Sequence, residues 1–261
     1  EGAENLQNLS GGAAFYHNMA REVSPDYRDV FIDGMRKFFY DGKAVFERTF
    51  SEGVHIGKER YNPKRGSVVY VGMDYGRTPA CTIKQEIDGQ VVTLDELTSI
   101  DMGIEQFERV ALAPLLNRKY EGCRVVIWGD PAGVQKNQSD ERSCFSVLRE
   151  KGYEVKPAWS NTYTDRWGAT ESLFTQLVQG RPRKVIDPGC RMLIKGYKGG
   201  YHLKRINVVG SDSEVRHKEG PEKNDFSHVV EADGYSDMAF VGARQIRDMV
   251  VQPVATLRYG N

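Results

Sequence analysis

The chain has 261 residues, 39% hydrophobic and 28% charged, and its 36 basic and 36 acidic side chains cancel to zero formal charge. That is the make-up of an ordinary globular protein, and it argues against a chain held to nucleic acid by overall charge while leaving room for a local basic groove. Four scattered cysteines without a CxxC pair speak against a disulfide framework or a zinc site, and no apolar run reaches the ~18–20 residues of a membrane span.

Residues 1–66 are mixed and rich in aromatics, with a helical pattern over 27–40, and close on the turn cluster "NPKRG". They are expected to form a linker and an N-terminal accessory segment, ahead of a main domain over 67–250 and a tail over 251–261. The absence of an initiator Met predicts a fragment of something longer; no signal peptide opens it. Residues 68–73 are apolar on both faces, as in a central strand. Asp88-Gly89 between two β-rich runs predicts a hairpin. Ile104, Phe107, Ala111 and Leu115 then share a helical face, which Pro114 should kink or shorten. A second apolar strand follows over 124–129. The helix over 140–152 should open on its acids, and the one over 165–180 should take Asp165 as N-cap and end at Gly180. A basic, polar hairpin over 199–220 and a last helix from Ser227 complete the order. Strand, hairpin, helix, strand, helix, strand, helix predicts an α/β layered domain with a mixed sheet. A hairpin directly after the first strand is the ribonuclease H-like order, in which a mixed central sheet is flanked by helices; the polar β-hairpin is additional.

Two stretches echo each other: "VVYVGMDYG" over 68–76 and "VVIWGDPAG" over 125–133. Each ends an apolar strand on an aspartate, Asp74 and Asp130, and such strand ends lie side by side at the ligand-binding edge of an α/β sheet. Either aspartate alone could serve as a cap for the turn after it. Together they repel unless a proton or cation lies between them, and hard oxygen donors favour Mg²⁺ or Mn²⁺. In "NDFSHVVEADGYSD", His228 and Glu231 share a helical face. Asp225 precedes that helix, and Asp233 and Asp237 lie further along it, where a solvated acidic face is the plain expectation.

The stretch over 45–240 resembles the C-terminal nuclease domain of the large terminase subunit of tailed bacteriophages. The residues that carry the resemblance are "GKAVFERTFSEGVHIG", "VGMDYGRTPA", "VVIWGDPAG", "GYEVKPAW" and "NDFSHVVEADGY". It implies a metal-dependent endonuclease of little sequence specificity, cutting concatemeric double-stranded viral DNA with two Mg²⁺ or Mn²⁺ ions. Asp74 and Asp130 match the family's first two metal-binding aspartates. Glu231 falls where the third acid is usually Asp, with Asp225 as alternative, and His228 matches a histidine of some members. The resemblance further implies a packaging ATPase in the same full-length chain, although no GxxxxGK[ST] loop is present here. It also implies a small terminase subunit and a portal protein as partners, no membrane, and a place in the host cytoplasm, transiently at the procapsid portal.

A nuclease without sequence preference should hold phosphates with basic side chains. Candidates are Lys195, Lys198, His202, Lys204 and Arg205 around the hairpin, Arg77 after Asp74, and Lys136 after Asp130. Two other readings compete. "MDYGRTPA" resembles the phosphate turn of actin-like ATPases and sugar kinases, and a Holliday-junction resolvase would share the nuclease site.

Overall fold

The computed structural model describes residues 42–135, 142–206 and 216–242. In chain order, β1 (Gly42–Ala44) and α1 (Glu52–His55) precede β2 (Val68–Asp74), β3 (Ala80–Ile87) and β4 (Gln90–Thr98). There follow α2 (Ile104–Phe107), a π-helical stretch (Glu108–Leu112), α3 (Ala113–Lys119), β5 (Arg124–Gly129), a 3₁₀ turn (Pro131–Val134), α4 (Cys144–Glu150) and β6 (Glu154–Pro157). The remainder is α5 (Tyr163–Thr175), β7 (Leu177–Val178), β8 (Arg181–Pro182), β9 (Lys184–Ile186), α6 (Arg191–Lys195), a second π-helical stretch (Gly196–Gly200), β10 (His202–Ile206), β11 (Arg216–Pro221) and α7 (Ser227–Asp237).

Six strands form the central sheet in the order β6-β5-β2-β3-β4-β9. Only β3 runs against the others, pairing antiparallel with β2 and β4, while β2 with β5, β5 with β6 and β4 with β9 are parallel. Asp88 and Gly89 both have positive φ, 49° and 81°, which is the primed turn that the Asp-Gly pair predicts. One face of β2 sends Val69, Val71 and Met73 into a core with Phe107, Leu112, Leu115 and Phe145. The other face receives α7.

Several expected boundaries shift for local reasons. The π-helical stretch, closed by Ala113 N–H on Glu108 O, lies just before Pro114. Proline has no N–H to give and crowds the carbonyl four residues back, and a widened turn absorbs that misfit. Helix α4 starts at Cys144 with Ser143 and Ser146 in a reciprocal capping box; the acids expected at its start lie outside the described residues. Thr162, not Asp165, caps α5, because its Oγ1 accepts the Asp165 N–H while the Asp165 carboxylate accepts from Thr162 and Ser160. Helix α5 ends at Thr175 rather than Gly180, since Gln179 and Gly180 both take positive φ and turn β7 into β8. The helical pattern over 27–40 and the tail over 251–261 lie outside the described residues.

The polar hairpin is present, and β1 pairs along its β10 edge to make a three-stranded sheet. Beside it, Phe46 packs edge-on to Tyr197 and stacks on Tyr201, so those two tyrosines are core residues. His55 is buried against the same cluster; its Nδ1 accepts from Ser51 N–H at 2.9 Å and its Nε2 donates to Phe174 O at 3.0 Å. That pairing needs a neutral ring, and burial lowers its pKa below 6.5, against the pull of its two backbone bonds. A depressed folded-state value means that this contribution is complete above the unfolded value and is lost as pH falls through the folded one. Wild type should therefore melt lower at about pH 5.5 than at about 7.5, and His55→Gln should narrow the difference.

Gly72 explains how α7 comes so close. A Cβ at Gly72 would strike the Ala232 carbonyl and the Ser236 hydroxyl, so only glycine lets the helix rest on the strand. Gly72→Ala is expected to cost about 3 kcal/mol, read as a lowered midpoint in thermal or urea unfolding.

Candidate active site

The parallel pairing of β2 and β5 aligns Met73 with Gly129, which makes Asp74 and Asp130 the next residues of two adjacent strands. The chains stay together past the ladder, because Asp130 N–H donates to Met73 O at 3.2 Å. Asp74 is buried. Asp130 is half-buried, and its Oδ1 accepts from Ala132 N–H at 2.8 Å. The capping role is therefore real for Asp130, and in the described structure it engages one carboxylate oxygen.

The glycines of the second motif serve the first one. A Cβ at Gly129 or Gly133 would overlap the ring of Tyr75, the residue after Asp74. The ring lies under both loops and packs on Phe145 at 5.4 Å. Tyr75 is thus a wedge that holds the two aspartate-bearing loops in register, and the small residues opposite exist to admit it.

Helix α7 brings the third acid. Glu231 is only 5% exposed, and both of its oxygens accept from Lys223 Nζ, at 2.7 and 2.8 Å. Arg166 Nη2 lies 3.8 Å from Glu231 Oε2. That guanidinium is fixed from the far side by Asn161 O and Oδ1, by the Tyr235 hydroxyl at 3.0 Å, and by the rings of Tyr163 and Tyr235. Burial pushes the Glu231 carboxyl up, Lys223 opposes it, and the Asp74 charge adds to it. One helical turn earlier, His228 Nδ1 donates to Asp74 Oδ2 at 2.8 Å, and this bond raises the imidazole pKa against the effect of burial. The Tyr235 hydroxyl is raised by burial and then, against Arg166, by Asp130, Asp74 and Glu231 together.

Asp225 is exposed and lines a cleft of about 460 Å³ with Lys223, Asn224, His228, Thr78 and Thr98. Among the described residues no three His, Cys, Asp or Glu side chains lie in one ready coordination sphere. The chemistry of the donor set nonetheless suits a hard divalent cation: carboxylates at adjoining strand ends, and a buried third acid that already draws an ammonium group.

The basic candidates part company. Arg77 is exposed and lines a second cleft with Gly76, Asp101, Met102, Gly103 and Cys144. Lys195 sits on α6 and Lys198 in the stretch after it, where Lys198 pairs with Glu52 at 2.7 Å. His202 is 4% exposed, its ring held by Gly200 O and by Glu222, which also binds Lys204 at 2.9 Å. That burial leaves His202 without an open face for a phosphate. Arg205 is exposed on β10, and Lys136 lies outside the described residues. Asp233 and Asp237, expected on a solvated face, are wholly buried against Lys84 and Lys184. Lys223, Arg166 and Tyr75 were not signalled by local sequence: their partners lie on other elements or eight residues away.

No protein-family profile and no curated protein matches this sequence. Solved structures are similar to it. The nuclease domain of the phage P22 large terminase covers 78% of this chain and 96% of its own, with TM-score 0.53 and 12% identity. The large terminase of a thermophilic bacteriophage covers 87% of this chain with TM-score 0.52 and 14% identity; this chain spans 52% of that protein. The fold is that of a large-terminase nuclease domain, a ribonuclease H-like mixed sheet flanked by helices, in line with the strand order and the motifs.

Proposed function

We propose that this chain is a divalent-metal-dependent endonuclease that cuts double-stranded viral DNA during genome packaging. The observation that carries this reading is the meeting of Asp74 and Asp130 at neighbouring parallel strand ends, beside the helix that holds Glu231 and whose His228 bonds Asp74. These three carboxylates would hold Mg²⁺ or Mn²⁺, two ions at full loading; Asp225, on the rim of the cleft, is the alternative third ligand. When bound, such ions activate a water for in-line attack on a phosphodiester and neutralise charge on the leaving oxygen.

The protein's own part is placement. His228 orients the Asp74 carboxylate, Arg166 backs Glu231, and Tyr75 fixes the spacing of the two loops. Arg77, Lys136, Lys195, Lys198, Lys204 and Arg205 are the side chains assigned to the DNA backbone. The likeness to the P22 domain and to the thermophilic-phage terminase supports a role beside a packaging ATPase in a longer chain; the host cytoplasm, the portal and a small subunit belong to the same proposal. The test is supercoiled plasmid incubated with the 261-residue chain: nicking and linearisation are expected with Mn²⁺ and none with EDTA. Strong preference for four-way junctions over linear duplex would replace this reading with a resolvase, and tight Mg-ATP binding without cleavage would replace it with an ATPase.

A further inference from the structure

Lys223 has no role in the mechanism so far, yet it is the nearest cation to the third acid. Its Nζ contacts both oxygens of a carboxylate that is almost entirely buried, while its own side chain is 55% exposed. The backbone beside it is fixed. Asn224 Oδ1 accepts from Phe226 and Ser227 N–H at the start of α7, and Asn224 Nδ2 donates to Gly200 O at 2.8 Å. A flexible lysine stem therefore rises from a rigid point and can turn outward into the adjoining cleft without any change in fold.

The contact shows what the ammonium does there: Glu231 is buried, and Lys223 Nζ already occupies both of its oxygens. Lys223 supplies one positive charge at the same oxygens that a divalent ion would use, so the ammonium and the ion exclude each other. Asp74 and Asp130 carry no such ammonium on their oxygens among the described contacts.

We propose that Lys223 is a built-in competitor for metal at Glu231: it occupies both oxygens of the third acid and holds it in place, and an ion gains that ligand only as the ammonium swings out. Loading is then stepwise, first at Asp74 and Asp130, then at Glu231. The inference rests on the metal-centre reading above.

Calorimetric titration with Mn²⁺ at about pH 8, where free carboxylates are ionised, separates the possibilities. Lys223→Met keeps the stem and removes the charge. It is expected to tighten the weaker Mn²⁺ step at least about fivefold and to lower the Mn²⁺ concentration for half-maximal plasmid cleavage. Lys223→Arg, which retains a cation, should bind Mn²⁺ much as wild type does. Unchanged or weaker Mn²⁺ binding in Lys223→Met, with an unaltered melting temperature, overturns the proposal. So does a loss of cleavage at saturating Mn²⁺ with unchanged affinity, which would make Lys223 a substrate contact. Asp74→Ala and Asp130→Ala serve as controls: if they bind Mn²⁺ as wild type does, the metal-centre reading itself fails.

Discussion

Asp74→Ala and Asp130→Ala are each expected to lower Mn²⁺-dependent plasmid cleavage by on the order of 10³-fold, about 4 kcal/mol of transition-state stabilisation. The size follows from position. The two side chains leave adjacent parallel strands side by side, so each removal takes away one of the carboxylates proposed to share a cation. The two variants should differ in stability. Asp74 is buried and receives a hydrogen bond from His228, so its loss leaves an imidazole without its acceptor. Asp130 is half-buried and caps a short turn, a loss worth about 1 kcal/mol. Asp130→Asn, which can still cap, should melt near wild type and remain inactive. Cleavage by Asp130→Asn at the wild-type rate would remove Asp130 from the metal centre, and folded but fully active Asp74→Ala would do the same for Asp74. Glu231→Gln is the companion: loss of activity in it, with Asp225→Asn active, assigns the third ligand to α7 rather than to the loop before it.

The sheet was legible in the sequence because its signals are local. A strand apolar on both faces, an Asp-Gly turn and capped helices each depend on a few neighbouring residues, and their order alone selects a ribonuclease H-like sheet. The placement of Asp74 and Asp130 side by side was legible for the same reason, since a strand end is a local event and parallel pairing does the rest. What was illegible depends on contacts between distant elements. Nothing in "GDPAG" says that its glycines make room for a tyrosine 54 residues or more away in the chain. Nothing in a basic hairpin separates an exposed Arg205 from a buried His202, because burial along β10 falls away from His202 until 204–206 are all exposed. The acids of the last helix were hardest to read. Glu231, Asp233 and Asp237 look alike in sequence, yet one faces the candidate site and two are sunk among lysines of β3 and β9.

Those two acids set the second large expectation. Lys184→Met should destabilise the protein by about 3–5 kcal/mol, since it leaves buried carboxylates without their counter-charge; for a domain of this size that is roughly a 10 °C fall in melting temperature. Lys84 Nζ reaches Asp233 at 2.9 Å and also Asp237, and Lys184 Nζ reaches Asp233 at 2.5 Å and Asp237 as well. Tyr197 and Thr170 hydroxyls complete the group at 2.6 and 2.8 Å. All four charged side chains are fully buried. Burial alone would raise the Asp233 carboxyl, but Lys184 and Lys84 overcome it and hold it well below the usual carboxylate range. Breaking one partner is therefore costly, while removing a matched pair is much less so. Lys84→Met with Asp237→Leu should lose less than the sum of the single variants, and a strictly additive cycle would mean that the four charges do not act together. The reason for such a group lies in α7 itself. Every residue of that helix except His228 is buried, yet it has no continuous apolar stripe to fix its rotation on the sheet. Hydrophobic contacts would allow it to turn; two lysines fixed on separate strands do not. A partly compensated variant that still folds should therefore lose cleavage more steeply than stability, because a small rotation of α7 carries Glu231 and His228 away from Asp74.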